Sequence, residues 1–106
     1  MSKKTSELTG AALDWAVCHL EGEQMSQYTR YSTDWSQGGP IIEREAIGFW
    51  KYQFDAKGNE NPGWYAEKFD GFFECGPTPL IAAMRCYVAS KLGDDVTLPP
   101  ELEQSA

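Results

Sequence analysis

Residues 76–94 read GPTPLIAAMRCYVASKLGD, and this stretch decides the architecture. Thr78 suits the capping position of a helix, Pro79 suits its first turn, and Gly93 stops it just after Lys91 in the last turn. Leu80, Met84, Tyr87, Val88 and Leu92 recur on one core face. Ala82, Cys86 and Ala89 make a flatter side that admits close approach of another element. After Gly93, Pro99 and Pro100 forbid helix, so residues 96–100 are expected to be extended.

A second helix is predicted over residues 9–22. Thr9 is its N-cap, Leu8 and Leu13 occupy the positions of a hydrophobic staple, and Gly22 supplies the stop. Leu13, Ala16, Val17 and Leu20 make one apolar face, with Ala11, Trp15 and Cys18 on roughly the opposite one. Either the helix is sandwiched, or Trp15 meets a second copy of the chain. Between the helices the punctuation changes to strand and turn. Residues 28–31 suit a short strand, and Gly38, Gly39 and Pro40 a tight turn. Residues 41–54 suit one or two strands in which Ile42, Ala46, Trp50, Tyr52 and Phe54 share a face. Residues 55–63, with Gly58, Asn59 and Pro62, read as a loop, and residues 64–69 as the returning strand of an antiparallel hairpin. The expected class is α+β: an N-terminal helix, a small antiparallel sheet, and a C-terminal helix packed on the sheet. It forms a single domain over residues 1–106, with residues 3–7 and 101–106 as flexible ends.

Composition narrows the function classes. A chain of 106 residues has room for one core, and 42% hydrophobic with 24% charged residues is an ordinary folded composition. Four Trp, five Tyr and five Phe are more rings than a small core requires, so some are expected to serve recognition. A net charge of −7 repels phosphate backbones, so polymeric nucleic acid is not an expected partner. One or two placed cations would still suffice for a small anion. Lys3 and Lys4 precede polar residues, so no leader peptide is expected. The apolar run over residues 80–84 is too short to span a membrane, and no membrane partner is expected. Cys18, Cys75 and Cys86 are odd in number and widely spaced, which fits buried thiols in a reducing cytoplasm. With His19 the sole histidine, neither a metal site nor a cofactor is expected.

No catalytic set stands out. His19 reads as a flank residue of the first helix, and Glu43 with Glu45 reads as a solvated acidic edge. The double glycine matches no phosphate-loop pattern, and Gly76, Pro77 and Thr78 offer only the ordinary positive end of a helix. Two features are more specific. Ser32, Thr33, Asp34 and Trp35, followed by Gln37, Gly38 and Gly39, combine polar groups, a large ring and a backbone open to close approach, as a ligand loop would. The same residues also suit a helical turn capped by Ser32 or Thr33, with Trp35 in the core. Arg85 is the only charged residue between Cys75 and Ser90, and a guanidinium among apolar groups must find oxygen partners. It either pairs internally, with Asp34 the first candidate, or clamps an anionic ligand beneath Trp35, Trp50 or Trp64, or reaches the surface.

Residues 4–15 (KTSELTGAALDW), 31–45 (YSTDWSQGGPIIERE) and 76–94 resemble the NinX family, small accessory proteins of lambdoid tailed bacteriophages. The likeness covers both ends and the middle of the chain, whereas residues 49–75 match less clearly. It implies a phage-encoded protein of the infected host's cytoplasm, dispensable for building the particle, and it transfers no catalytic residues. The expectation is a non-enzymatic module that sequesters a small anionic, nucleotide-derived ligand of the host, as an anti-defence sponge would. Its site would comprise Ser32, Thr33, Asp34, Trp35, Gln37, Gly38, Gly39, Trp64, Thr78 and Arg85, in a homo-oligomer. The competing expectation is an acidic factor that binds and inhibits a host protein.

Overall fold

The computed structural model describes residues 2–54 and 60–102, with residues 53, 54 and 60–62 as backbone only. Strand β1 (Ser2–Lys4) leads through a 3-10 turn (Thr5–Glu7) into helix α1 (Gly10–Glu21). Helix α2 (Trp35–Glu45) follows, then strands β2 (Gly48–Phe54), β3 (Glu60–Glu67) and β4 (Phe73–Gly76). Helix α3 (Pro79–Leu92) and strand β5 (Asp95–Thr97) complete the order, before a last 3-10 turn (Pro100–Leu102). The class is α+β, with α3 packed on the antiparallel sheet β2-β3-β4.

The punctuation of α3 works as its residues dictate. Thr78 accepts a hydrogen bond from the Ile81 N–H at 3.1 Å, and Gly93 closes the helix with a positive φ. Nine of its residues are buried, and Leu80, Met84 and Val88 stand among the largest fully buried side chains. Gly76 explains how closely the helix lies on the sheet: a Cβ there would meet the Ala82 backbone nitrogen at 2.7 Å. Helix α1 brings Ala12, Leu13, Ala16 and Val17 into the same core. On its far side Cys18 is buried, Ala11 is exposed, and Trp15 stacks on His19 at 5.1 Å.

Several expectations between the helices are overturned. Residues 28–31 form no strand, and Gly38, Gly39 and Pro40 lie inside α2 rather than in a turn. Residues 41–45 are helical too, so β2 begins only at Gly48. Packing overrides the local signals here: Asp34 caps the helix, Ile41 is buried, and Gly38 lies so close to Tyr31 and Leu80 that only hydrogen fits. The hairpin is present, with β3 longer at its start than predicted, and β4 adds an edge strand in the register Trp64↔Gly76, Tyr65↔Cys75, Ala66↔Glu74. Of the predicted loop over residues 55–63, residues 55–59 lie outside the described residues. Residues 3–7 are tied in: Lys3 pairs with Val96 of β5, and the buried Thr5 hydroxyl donates to the Gly93 carbonyl at 2.6 Å. Residues 103–106 lie outside the described residues.

The two glycines of α2 differ in surroundings, and this sets a test. In Gly38→Ala the new methyl would meet the Tyr31 carbonyl at 2.5 Å and Leu80 Cδ1 at 2.6 Å. Chemical denaturation is expected to show a loss of about 1–3 kcal/mol. Gly39→Ala meets nothing nearer than Trp35 at 4.0 Å and is expected to gain about 0.5–1 kcal/mol from helix propensity.

Candidate functional site

The structure separates the residues that the sequence suggested as one site. Ser32 is buried, and both its N–H and its hydroxyl donate to Asp14 Oδ1, at 2.8 and 2.7 Å. Burial pushes the Asp14 carboxyl up, and these two bonds pull against it. Thr33 is an exposed turn residue. Asp34, and neither Ser32 nor Thr33, caps α2: its carboxylate accepts from the Ser36 hydroxyl at 2.6 Å and N–H at 2.9 Å, which hold it below its usual range. Trp35 does not plug the core; it is 48% exposed and leans on Phe49. Gln37 holds the preceding segment, accepting from the Arg30 N–H at 2.7 Å and donating to the Tyr28 carbonyl at 2.8 Å. Gly38 serves the packing of α2 on Tyr31 and Leu80, and Thr78 is occupied as a cap. Residues 32–39 thus act as a structural joint between α1 and α2.

Arg85 has a different setting. Its Nε donates to the Leu8 carbonyl at 2.7 Å and its Nη1 to the Cys75 carbonyl at 2.8 Å. These bonds tie α3 to the start of α1 and to the outer edge of β4. Among the described residues no carboxylate forms an ion pair with it, so the suggested Asp34 partnership is not made. Burial works against the guanidinium's charge, and Glu74 supports it from a longer range. Two of five N–H groups are used by the carbonyls, which leaves donors to spare.

Beside Arg85 lies an open recess of about 460 Å³, lined among others by Tyr52, Phe73, Glu74, Cys75 and Ser6. Trp35, Trp50 and Trp64, suggested as its roof, line none of it. Trp64 belongs to the sheet face toward α3, where it meets Phe49 edge-on at 6.2 Å and packs on the core. Trp50 belongs to the opposite face. There Trp50, Tyr65 and Phe73 form a ladder across β2, β3 and β4, with centroids 4.6 and 5.4 Å apart. The recess sits where that ladder reaches the β4 edge. Its floor requires Gly63, because the Tyr52 ring lies across it and a Cβ would meet the Tyr52 oxygen at 2.7 Å. Tyr52 also hydrogen-bonds the Cys75 sulfur, whose thiol burial pushes up. Burial likewise pushes the Glu74 carboxyl up, with Arg85 drawing it partly back. Sequence reasoning found Arg85 by its isolation. It missed Phe73 because β4 is too short to show periodicity, although Phe73 and Cys75 already alternate with Glu74.

The largest charged cluster lies elsewhere and is already satisfied internally. Arg44 grips both Glu21 oxygens at 2.9 and 2.8 Å and reaches Glu45 at 3.0 Å. The Tyr87 hydroxyl donates to Glu21 at 2.6 Å. The buried Lys68 ammonium donates to Glu45 at 3.0 Å and to the Ser90 hydroxyl at 3.4 Å. This cluster fastens the ends of α1 and α2 to α3. Among the described residues, no group of three or more His, Cys, Asp or Glu side chains is placed to hold a metal ion. No described helix is long and apolar enough to cross a membrane.

The cluster makes the fold sensitive to acid. Hydrogen bonds from Arg44 hold Glu21 below the usual carboxylate range. Burial pushes Glu45 up, but Lys68 and Arg44 bring it below that range. A carboxyl lowered by folding stabilises the fold above its unfolded pKa, and the contribution is lost as pH falls through the folded value. Thermal unfolding as a function of pH is therefore expected to show stability falling on the acid side of about pH 4. Glu21→Gln should be less stable at neutral pH and should show a shallower acid limb; an unchanged limb would remove this account.

Comparison with known families comes last. The family model described as Bacteriophage P22, NinX matches residues 4–91. No curated protein matches the chain.

Proposed function

From the premise that the chain belongs to the phage P22 NinX family, we propose that it is a non-enzymatic accessory protein that takes up a small anionic, nucleotide-derived ligand of the host at the Arg85 recess. One observation carries this reading. Arg85 is held by two backbone carbonyls and, among the described residues, by no paired carboxylate, so its charge is fixed in place, and it lines an open recess that Tyr52 and Phe73 share. A bound anion completes the guanidinium's hydrogen bonds in a geometry already paid for by folding. Burial and the neighbouring Glu74 push the Cys75 thiol up, away from the reactive thiolate. Binding without turnover is the chemistry that fits, and sequestration in the host cytoplasm is the role that follows from it.

A second reading has its own observation. Trp50 is 47% exposed and Phe73 56% exposed on the sheet face turned from α3, and rings so placed also suit a protein partner. A stoichiometric host polypeptide recovered with the chain, in place of a small molecule, would favour that reading.

Titration calorimetry with mono- and cyclic nucleotides tests the first. Arg85→Lys keeps the charge and loses the two-carbonyl fork. It is expected to weaken binding by about tenfold or more, the worth of one charge-assisted hydrogen bond. Heat unchanged in that variant would exclude the recess. Glu74 sets the pH dependence. Its carboxyl is already raised by burial, and an anion beside it raises it further, so binding takes up a proton and weakens as pH rises through the Glu74 range. Glu74→Gln should bind more tightly at neutral pH and lose this dependence.

A further inference from the structure

We infer that the recess is a slot for a planar aromatic ring, and that a nucleobase seats between Phe73 and Tyr52 while its phosphate meets Arg85. The inference rests on the reading of Arg85 given above and adds the part of the ligand that the cation does not touch. Four observations support it.

The Trp50, Tyr65 and Phe73 rings follow the strand order β2, β3, β4, so Phe73 ends the ladder at the edge strand. Tyr65 and Phe73 lie 19° from parallel, so Phe73 stacks on Tyr65 while also lining the recess. Phe73 is 56% exposed, so part of its ring is reachable from solvent beside the recess. The residues of the register place Cys75 beside Tyr65 on this face, with Tyr52 crossing Gly63. Phe73 and Tyr52 therefore stand on either side of the Cys75 floor, and both line the recess with Arg85 at its rim.

A flat ring inserted there continues an existing stack without moving backbone. Stacking tolerates every base, since each presents a π-face, so the slot selects ring over no ring more strongly than one base over another. The charges agree with this placement. The cation stands at the rim, where a phosphate on a short sugar linker extends from the base, and the slot itself is lined by rings and a thiol.

The test compares adenosine monophosphate and guanosine monophosphate with ribose 5-phosphate, which lacks the ring, by calorimetry on the full chain. Phe73→Ala is the informative variant because it removes the ring and keeps Arg85 with its two carbonyl bonds; thermal unfolding of the variant checks that it is folded. The nucleotides are expected to bind tighter than ribose 5-phosphate by a factor of roughly 5 to 100, the range of one base stack. Phe73→Ala should remove most of the difference between the nucleotides and ribose 5-phosphate. Equal binding of nucleotides and ribose 5-phosphate, with Phe73→Ala affecting neither, would overturn the slot and leave the Arg85 reading standing. Binding of none of the three would remove both.

Discussion

Two hydrogen bonds from one guanidinium hold α3, the edge strand β4 and the segment before α1 together. Arg85 reaches from the middle of α3 to the Leu8 carbonyl at 2.7 Å and the Cys75 carbonyl at 2.8 Å. The first carbonyl belongs to the segment before α1, and the second faces outward from the edge strand β4. A strand edge with free carbonyls and N–H groups invites pairing with other chains. At Cys75 both groups are covered, the carbonyl by Arg85 and the N–H by the Glu74 carboxylate. The same contacts that close the edge also fix the cation at the mouth of the recess, so the binding proposed for this side chain would draw on the same bonds as the fold.

The sheet then divides the aromatic residues by parity. Trp64 and Ala66 face α3, and Phe49 and Trp35 gather around Trp64 at the rim of the core. Trp50, Tyr65, Tyr52, Phe73 and Cys75 face the other way. Two glycines make this division workable. Gly76 lets α3 lie directly on the inner face, and Gly63 lets Tyr52 fold flat on the outer one. The charged cluster of Glu21, Arg44, Glu45 and Lys68 fastens the helix ends far along the chain from these rings, and its groups are spent on one another.

Much of the fold was legible in the residues, and the failures have physical causes. Helices α1 and α3 were readable because Thr78, Pro79, Gly22 and Gly93 act locally, within a turn of where they stand. Helix α2 was not, because Gly38, Gly39 and Pro40 carry the local signature of a turn. What makes them helical is a local cap at Asp34 together with the tertiary fit of Gly38 against Leu80 and the Tyr31 carbonyl. The ribbon of β1 with β5 and the strand β4 have three or four residues each, too few for a period of two to register. A lone cation in an apolar helix signalled that Arg85 must find oxygen partners, and it has two. Its partners were unreadable because they are backbone carbonyls, which every residue possesses, and so the carboxylate of Asp34 was credited with a contact it does not make.

The central claim is that Arg85 is immobilised by carbonyls while its remaining donors face solvent-accessible space. The nuclear magnetic resonance signal of the Arg85 side-chain Nε–H reports on this directly. The account predicts a resolved resonance, exchanging slowly with water in the free protein because the Leu8 carbonyl holds it, and shifting when a nucleotide is added. A signal that exchanges as fast as that of a freely solvated arginine, and does not respond to nucleotide, would contradict it.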